Sequence, residues 1–586
     1  MRLVKHFVVA LTFFAAMAAA LALTDRAHPV AAATACTDLV GLDLQDGTVL
    51  SATDITAPFL TAASSGTAMI TVSAPFPFCL VKAQLTPTAD SNINMEIWLP
   101  AKANWNGKFL GVGNGALTGA IWHTSMVRPL RDGYAVANSD LGHQVSTANW
   151  ALGHPEKVID YAYRGDHVTA LAGKVIVQAL YGHRPKSSYF HGCSNGGHQA
   201  LMEAERFPDD YDAIIAGAPW NQWTHQNVEF IWRALRLENF NTAKLPVITS
   251  AVVAKCGTRD GGVSTDPYLN DPRDCQFNPK TMLCPGADGP TCLTATEVDA
   301  VQKLYDGPSN PDTGQNLFPG FERGSEFGWV AFGAFVNNLF QNMVFENDPT
   351  WDFHTFNFTT DVQFFDDKLA GIINSNHPDL SAFRARGGKL IMWQGWTDTT
   401  LEPHNSVNYY NSVIAVTGGG LDLNDHSHDH DGSDHGRRKG RDDDHIRPRE
   451  ALEDTQDFFR FFMAPGVNHC GGGNGPNSSF AYTVANTPGP DDPDHDILQA
   501  LDRWAQNGIP PRTFIASHFT NGVADSTLPI CAYPKVARYK GKGDPTVPGS
   551  FVCVDDWDDF ERDFAHELHN IRSDIRRGTL VNLPQH

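Results

Sequence analysis

Beyond residue 23, the sequence lacks any apolar run long enough to span a membrane. It is also short of basic residues, because 44 Lys and Arg stand against 66 Asp and Glu and give a net charge of -22. A surface this acidic repels the phosphates of nucleic acids and the headgroups of anionic lipids. We therefore expect neither a nucleic-acid partner nor a membrane partner, and the sequence does not predict an oligomeric state.

The first 33 residues contain the pattern of an export signal. Arg2 and Lys5 precede an apolar run over residues 7–23, and small residues follow up to position 33. Because the run is short and alanine-rich, it favours a cleaved signal peptide over residues 1–33 rather than an uncleaved membrane anchor. The expected location is therefore periplasmic or extracellular.

The rest of the chain holds an even number of cysteines. In an oxidising compartment such a count predicts disulfide bonds, although spacing alone does not fix their pairing. The cysteines are Cys36, Cys79, Cys193, Cys256, Cys275, Cys284, Cys292, Cys470, Cys531 and Cys553.

The stretch HGCSNGGHQAL, residues 191–201, contains the pattern Gly-x-Ser-x-Gly around Ser194. In α/β-hydrolases this pattern forms a sharp strand-to-helix turn that exposes a nucleophilic serine, and its glycines avoid clashes between neighbouring side chains. On its own the pattern is short enough to be an ordinary glycine-rich turn.

The flanking sequence favours the nucleophile turn. Residues 187–192 predict a short strand before it, residues 196–211 a helix after it, and residues 212–220 the next buried strand. Residues 163–182 have the apolar spacing of a preceding helix. This alternation predicts an α/β fold with a parallel sheet. With 586 residues, the chain suits two domains or one large domain with an insertion.

The other members of a serine-hydrolase triad are expected downstream, first the acid and then the histidine. Residues 387–395 predict a buried strand leading to Asp398, and an apolar run over residues 458–465 leads to His469. Sites of parallel sheets lie at such strand ends. The alternative is that Asp398 caps the next helix and that His469 is simply one of the 24 histidines, with no catalytic role. Chain order and position favour a triad with Ser194.

Cysteines flank two of these residues, since Cys193 precedes Ser194 and Cys470 follows His469. A disulfide between them would hold their Cα atoms about 5.5–6 Å apart and fix the base against the nucleophile. We therefore interpret Cys193 as part of a structural brace. The competing interpretation, a catalytic thiolate, needs a free cysteine and is disfavoured in an exported chain with an even cysteine count.

The Cys-Ser, Asp and His-Cys pattern resembles that of the tannase and feruloyl esterase family. Further blocks similar to the family are WNGKFLGVGNGALTG, YAYRGDHVTALAGKVIVQALYG, SYFHGCSNGGHQALMEAERFPDDYDAIIAGAPW, MWQGWTDTTLEPH, FFRFFMAPGVNHCGGGNGP and VARYKGKGDP. The resemblance implies an α/β-hydrolase core with an inserted lid domain. It also implies hydrolysis of esters of aromatic acids, such as galloyl esters, hydroxycinnamoyl esters of plant cell walls or mono(2-hydroxyethyl) terephthalate.

On this sequence the resemblance implies core parts at residues 34–220 and 384–586, with the lid at residues 221–383. Within the second part, residues 422–450 are rich in His and Asp, and we expect a disordered surface loop there because such a stretch cannot bury a core. Capture of zinc or copper by this loop is the alternative. We expect the charged tail after Cys553 to be helical.

The resemblance also implies roles for individual residues. His469 would take the proton of Ser194, Asp398 would orient His469, and an acyl-enzyme would form and be hydrolysed without a cofactor. The oxyanion hole maps onto the backbone N–H groups of Asn195 and Gly115. The implied disulfides are Cys36–Cys79, Cys193–Cys470, Cys256–Cys275, Cys284–Cys292 and Cys531–Cys553.

In this family the lid often holds a structural calcium ion in an acidic loop between two cysteines, which here is the loop at residues 256–275. The implied ligands are Asp260, Gly262, Asp266 and Tyr268, the glycine and tyrosine through their carbonyls. The loop departs from the family pattern, because Gly257 stands where an Asp is usual, Pro267 replaces a glycine and two residues are inserted. A solvated acidic loop held by its disulfide is the alternative.

The aromatic residues at positions 327–353 are candidates for an acyl-binding pocket or for the core of the lid itself. Gln341 stands where related sequences often have Arg, which argues against recognition of a free carboxylate there.

The expected substrate is a small aromatic ester or a phenolic ester linked to a plant polymer. We expect a feruloyl esterase-like enzyme. The alternatives are a tannase, a terephthalate monoester hydrolase, a general carboxylesterase, and a catalytically dead exported binding protein.

Overall fold

A computed structural model describes residues 35–62, 69–346, 348–421, 423, 446–480 and 490–577. The predicted signal peptide, residues 1–33, lies outside these ranges, and so does most of the predicted loop at residues 422–450 with its alternative of zinc or copper capture. The end of that loop is corrected by the structure. Residues 448–450 form the first turn of the helix Pro448–Gln456, where proline is favoured because it has no N–H to leave unpaired.

The strands of the described chain are β1 Asp43–Leu44, β2 Gly47–Ile55, β3 Phe59–Ala62, β4 Met69–Val72, β5 Phe78–Leu85, β6 Ile93–Pro100, β7 Lys108–Val112, β8 Ala135–Ser139, β9 Ser187–Cys193, β10 Ala213–Gly217, β11 Lys389–Gly395, β12 Phe459–Ala464, β13 Thr513–Thr520, β14 Val523–Cys531, β15 Lys535–Tyr539 and β16 Phe551–Asp555.

The α-helices are His123–Arg131, Pro155–Ile159, Gly165–Tyr181, Asn195–Arg206, Trp223–Leu237, Leu245–Cys256, Ala295–Asp306, Gly333–Leu339, Thr360–Phe365, Gly371–Ile373, Ser381–Ala385, Pro403–Val413, Pro448–Gln456, Ile497–Asn507 and Trp557–Arg577. Short π-helical segments are Asp160–Arg164, Phe340–Val344, Asp366–Ala370 and Ile414–Gly418. Within the part of the chain that the structure describes, no helix combines the length and apolarity needed to cross a membrane.

Ten strands form one mixed sheet in the order β1-β2-β5-β6-β8-β7-β9-β10-β11-β12. The pairs β1–β2, β2–β5, β5–β6 and β6–β8 are antiparallel. The pairs β8–β7, β7–β9, β9–β10, β10–β11 and β11–β12 are parallel. The parallel strands are covered on both faces, which explains their continuous apolar sequences. Strand β10, with the sequence AIIAG, is buried at every residue. This confirms the predicted α/β fold class.

Successive residues of the parallel strands point to opposite faces of the sheet. Ile214 and Met392 belong to the apolar cluster on one face, and Ile215 and Trp393 to the cluster on the other. The first face is covered by the helices Gly165–Tyr181, Asn195–Arg206, Pro403–Val413 and Trp557–Arg577, and the second by His123–Arg131 and Ile497–Asn507. The tail after Cys553 is therefore helical, as predicted, and part of the core.

Between β10 and β11 the chain is helical, and in its described residues it forms no strand beyond isolated bridges. The predicted lid at residues 221–383 lies in this insertion. One of its apolar clusters consists of residues between positions 232 and 329 alone, whereas another joins it to residues 117–162 and to Leu401 of the core. The insertion thus has its own core and also packs against the sheet domain.

The parallel register brings the carboxyl ends of the central strands to one edge of the sheet. Cys193 at the end of β9 is aligned with Gly217 of β10, and Gly395 at the end of β11 is aligned with Ala464 of β12. Residues that directly follow β9, β11 and β12 therefore lie at the same edge of the sheet, although they are far apart in sequence.

Candidate active site

The sharp turn after β9 has the strand–turn–helix geometry predicted from the sequence. Strand β9 ends at Cys193, Ser194 has φ 67° and ψ -121°, and the helix begins at Asn195. A positive φ is uncommon for a residue other than glycine and indicates local backbone strain. A Cβ at Gly192 would lie 2.2 Å from the carbonyl oxygen of Gly196, so this position requires glycine.

Asp398 lies three residues beyond the end of β11 and is completely buried. Its Oδ1 accepts hydrogen bonds from the backbone N–H groups of Thr400 at 2.8 Å and Leu401 at 3.0 Å. Its Oδ2 accepts from Gln394 Nε2 and from His469 Nδ1, both at 2.8 Å. Four donors compensate for the desolvation of this carboxylate and fix its orientation.

The helix that follows Asp398 does not use it as a cap. That helix, Pro403–Val413, has Glu402 at its N-cap position, so the capping interpretation of Asp398 is wrong. Instead, the carboxylate of Asp398 lies at the first turn of chain after β11, within hydrogen-bonding distance of His469.

His469 follows β12 and its side chain is 22% exposed. Because its Nδ1 faces Asp398, its Nε2 is the nitrogen available to accept a proton. The loop carrying the histidine contacts β11 closely, since a Cβ at Gly395 would lie 2.1 Å from the carbonyl oxygen of Val467. Backbone hydrogen bonds between the two segments, including Thr397 N–H to Val467 O at 3.1 Å, keep His469 and Asp398 together.

The disulfide Cys193–Cys470 joins the serine turn to the histidine loop. Its Cα atoms are 5.9 Å apart, although 277 positions separate the two cysteines in the sequence. Ser194 and His469 are the direct neighbours of these cysteines, so the bond holds them on the same side of the sheet edge. The other pairs implied by the resemblance are also bonded in the structure, namely Cys36–Cys79, Cys256–Cys275, Cys284–Cys292 and Cys531–Cys553. With no free thiol left, the thiolate interpretation of Cys193 is wrong.

The hydroxyl of Ser194 makes no hydrogen bond to any residue that the structure describes. The serine is partly exposed, as are His469 and Gly115. Bonds between nucleophile and base are often long in free enzymes and shorten when substrate binds. The serine hydroxyl and the imidazole are thus both accessible from solvent.

Two backbone segments meet near Ser194. The first is the start of the helix Asn195–Arg206, where the N–H of Asn195 has no acceptor among the described residues. The second is the glycine-rich segment after β7, which lies against that helix because a Cβ at Gly113 would be only 2.5 Å from the Cα of Gly196. Unpaired N–H groups at a helix start favour an anionic oxygen.

The amides of the glycine-rich segment differ in availability. The N–H of Gly113 donates to a carbonyl of β9 at 3.0 Å, and the N–H of Asn114 donates to Gln199 Oε1 at 2.7 Å. Gly115 is the first residue of this segment whose N–H has no acceptor in the described chain. Of the segment's first three amides, only that of Gly115 is available to bind a substrate oxygen.

The loop implied to bind calcium has oxygen atoms suited to a hard cation. Asp260 accepts N–H groups of Gly262 at 3.0 Å and Asn270 at 2.6 Å, and burial raises the pKa of Asp260 and of Asp266 to about 6. The carbonyls of Gly262 and Tyr268 accept no hydrogen bond within the described residues. Two partly buried carboxylates and two carbonyls without donors fit the oxygen preference of Ca²⁺.

An aromatic cluster extends from the serine turn into the insertion. The N–H of Trp220 donates to the carbonyl of Ser194 at 3.1 Å, and the Trp220 ring lies 6.0 Å from Phe230 and 6.2 Å from Phe335, between centroids. Phe332 lies 4.8 Å from Phe230. Trp220 and Phe230 are buried, whereas Phe332 and Phe335 are half-buried and present apolar surface near the site.

Other aromatic residues of the insertion form its own core. Phe340 and Trp351 are buried and stack with centroids 4.8 Å apart. Gln341 donates from Nε2 to the carbonyl of Trp351 at 2.7 Å, so its amide is bound to the backbone of the insertion.

Two buried residues beside Asp398 were not predicted from the sequence. Gln394 donates to its carboxylate, and Arg233, fully buried, donates to the carbonyl of Thr399 at 2.6 Å and to Glu402 Oε1 at 2.9 Å. The arginine therefore holds both ends of the turn that carries the Asp398 donors. The sequence signal for Arg233 is a cation inside the short apolar stretch FIWRAL.

Comparisons with known proteins agree on one family. A family model described as tannase and feruloyl esterase matches residues 79–554. The chain is 36% identical over 559 residues to an uncharacterized esterase of Xanthomonas campestris pv. campestris, with 89% of this chain and 92% of the relative covered. It is 29% identical over 503 residues to a probable feruloyl esterase B-2 of Aspergillus terreus, with 81% and 86% covered. The crystal structure of feruloyl esterase B from Aspergillus oryzae matches with a TM-score of 0.75 at 26% identity, covering 88% of this chain and 98% of that one.

Proposed function

Because the chain belongs to the tannase and feruloyl esterase family and is a carboxylic ester hydrolase with an α/β-hydrolase fold, we propose that it hydrolyses esters of aromatic acids through Ser194, His469 and Asp398. The observation that carries the proposal is the hydrogen bond from His469 Nδ1 to Asp398 Oδ2, next to the disulfide Cys193–Cys470. Base, acid and serine turn thus share one edge of the sheet, and they follow one another in the chain in the order typical of α/β-hydrolases.

In the proposed mechanism, His469 Nε2 takes the hydroxyl proton as Ser194 Oγ attacks the ester carbonyl. Asp398 stabilises the resulting imidazolium, and the N–H groups of Asn195 and Gly115 donate to the negative oxygen. The tetrahedral adduct releases the alcohol, which receives its proton from His469. Water then attacks the acyl-enzyme by the same route and releases the acid. Only protein groups and water take part.

The aromatic cluster supports an aromatic acyl group as the preferred substrate portion. Phe332 and Phe335 present half-buried rings near the serine turn, and a planar phenolic acyl group stacks on such surfaces better than a short aliphatic one does. With Gln341 bound to the backbone of the insertion, that position offers no cation for a free carboxylate. We therefore favour feruloyl-type esters, with galloyl esters and terephthalate monoesters as alternatives.

A hydrolysis panel tests the substrate class. We expect methyl ferulate, methyl caffeate or methyl gallate to be cleaved with a higher kcat/KM than a short aliphatic ester. Phe335→Ala is expected to lower this kcat/KM for the phenolic ester about tenfold or more, because one hydrophobic contact is lost. Phe364→Ala, which removes a 46% exposed ring elsewhere in the insertion, is the matched control and should have no effect.

The panel also separates the alternatives. Turnover of mono(2-hydroxyethyl) terephthalate above that of the phenolic esters assigns the chain to the monoester alternative. Strong cleavage of aliphatic esters alone contradicts the aromatic assignment, and absence of any turnover supports the non-enzymatic binding protein.

We further propose that the chain is exported to the periplasm or the medium. Its five disulfides are typical of proteins that mature in an oxidising compartment. This agrees with the signal peptide predicted over residues 1–33.

We also propose a structural calcium ion held by Asp260, Asp266 and the carbonyls of Gly262 and Tyr268. When bound, the ion would neutralise the two carboxylates and link distant parts of the loop. A free calcium concentration of 100 times the Kd should raise the free energy of unfolding by about 2.7 kcal/mol, compared with the protein in EDTA. The measurement is the Tm in calcium and in EDTA.

The pH dependence of this effect has a definite sign. Both carboxyl groups have a pKa of about 6 in the folded protein, above their pKa in the unfolded chain. Without calcium, their ionisation therefore lowers the free energy of unfolding as pH rises from the unfolded pKa to about 6. The calcium-induced rise in Tm should therefore be larger at about pH 7.5 than at about pH 5. Asp266→Asn should abolish the rise, whereas Asp274→Asn, which changes an exposed acid of the same loop, should not. A Tm unaffected by EDTA at both pH values contradicts the proposal.

A further inference from the structure

We propose that Tyr161 is a positioning residue that connects the two halves of the oxyanion hole. Its hydroxyl oxygen lies 2.9 Å from the carbonyl oxygen of Ala116 and 2.9 Å from Oδ1 of Asn195. Ala116 directly follows Gly115, so a single hydroxyl contacts both segments that carry the proposed donors. The inference rests on the proposed function, since it concerns the donors Asn195 and Gly115.

The hydrogen-bonding capacity of these groups defines the arrangement. The Tyr161 hydroxyl has one proton, and the Ala116 carbonyl can only accept, so the proton is directed to Ala116. The side-chain amide of Asn195 is fully buried, and its Nδ2 has no partner among the described residues. Rotation of the Asn195 side-chain amide by 180° about its Cβ–Cγ bond exchanges the positions of Oδ1 and Nδ2. Nδ2 then donates to the hydroxyl oxygen of Tyr161. Both contacts then become hydrogen bonds, and a buried donor is satisfied.

The glycine-rich segment requires such a contact. Ala116 has φ 50°, a left-handed conformation that a residue with a Cβ rarely adopts, and it is exposed. Other constraints hold the flanks of this turn: Asn114 N–H donates to Gln199 at 2.7 Å, and Thr118 N–H donates to the Gly115 carbonyl at 3.1 Å. Without the tyrosine hydroxyl, the Ala116 carbonyl loses its hydrogen bond, the strained turn can relax toward ordinary backbone angles, and the N–H of Gly115 would shift with it.

Tyr161 is well suited to act as a rigid support. The residue is fully buried and lies in the π-helical turn Asp160–Arg164, a kind of local irregularity frequent at functional sites. Its ring packs against Trp150 at 5.3 Å and His143 at 5.9 Å between centroids. Burial raises the pKa of Tyr161 above its usual value, so the hydroxyl keeps its proton across the working pH range.

The decisive variant is Tyr161→Phe, which keeps the ring and removes only the hydroxyl. Deleting a direct oxyanion donor costs about 10²–10³ in rate, and displacing donors indirectly should cost less, about tenfold in kcat. KM should remain nearly unchanged, because the ground-state carbonyl depends little on the oxyanion donors. Phenylboronic acid, whose tetrahedral adduct places an oxygen in the oxyanion hole, should bind more weakly by the same factor. Inhibition by the product ferulate should be unaffected.

Tyr181→Phe is the matched control. Tyr181 is also a buried tyrosine whose hydroxyl donates to a backbone carbonyl, that of Pro100 at 2.7 Å, but it is the last residue of the core helix Gly165–Tyr181, at the end remote from Tyr161. We expect both variants to lower Tm to a similar extent and only Tyr161→Phe to lower kcat. A purely structural role for Tyr161 predicts equal kcat in both variants and would overturn the inference.

A double-mutant cycle provides an independent readout. Asn195→Ala keeps the backbone N–H but removes the amide that contacts the tyrosine, so it should lower kcat like Tyr161→Phe, and the double variant should be no worse than the worse single one. Multiplicative losses contradict the connection. If the wild-type protein neither turns over an ester nor binds the boronate, the proposed function fails; if the wild type does both and Tyr161→Phe matches it, only the present inference fails.

Discussion

Replacing Ser194 with alanine is expected to lower kcat/KM for the preferred ester by about 10⁴-fold or more, because it removes the nucleophile. The free energy of unfolding should change little, since the serine hydroxyl makes no hydrogen bond within the described chain. Ser188→Ala is a suitable control. It truncates a buried serine of strand β9, the strand that leads to Ser194, and turnover should stay at the wild-type level.

The other triad members should give similar losses. In Asp398→Asn, an NH₂ group in place of Oδ2 faces two donors, Gln394 Nε2 and His469 Nδ1, so the imidazole loses the orientation and tautomer it needs. We expect a loss of about 10⁴-fold, with His469→Ala comparable. Because the triad acts as a unit, double variants should be little worse than the worse single variant. Near-normal turnover in Ser194→Ala contradicts the serine-hydrolase mechanism.

Replacing both Cys193 and Cys470 with serine is expected to lower kcat by about 10²-fold, because a displacement of about 1 Å between nucleophile and base is enough for such a loss. KM should change less than kcat. Stability should also fall, since the bond closes a loop of 277 residues, for which the chain-entropy model gives about 5–6 kcal/mol. Kinetics on a phenolic ester and denaturant unfolding measure the two effects.

The disulfide Cys284–Cys292 supplies the matched control. It closes a loop of only 8 residues within the insertion, so its removal should cost about 2–3 kcal/mol and leave kcat unchanged. Equal kcat in the two double variants contradicts the brace. So does alkylation of Cys193 or Cys470 in native, active enzyme, found by peptide mapping without reduction.

The sequence predicts the parts of the site that depend on local pattern. The serine turn is recognisable because Gly192 is required and Gly196 is closely packed where β9 meets its helix, and because Asp398 and His469 follow apolar strands typical of a sheet interior. The brace is recognisable because its cysteines are adjacent to Ser194 and His469.

The supporting contacts are less predictable because they depend on packing between distant segments. Tyr161 meets Ala116 across 45 positions of sequence, and Arg233 meets Thr399 across 166. No spacing rule links such pairs. The predicted loop at residues 422–450 extends too far for a similar reason, because the helix Pro448–Gln456 is anchored by Ala451 and Leu452, which are buried in the core.

The central claim is that Ser194 carries the acyl group of a phenolic ester during turnover. Its most direct test is to mix the enzyme with excess 4-nitrophenyl ferulate, quench in acid within the first turnovers and map the peptides by mass spectrometry. We expect a feruloyl group on the peptide that contains Ser194, and none in Ser194→Ala treated in the same way. A feruloyl group on another residue, or continued turnover by Ser194→Ala, contradicts it.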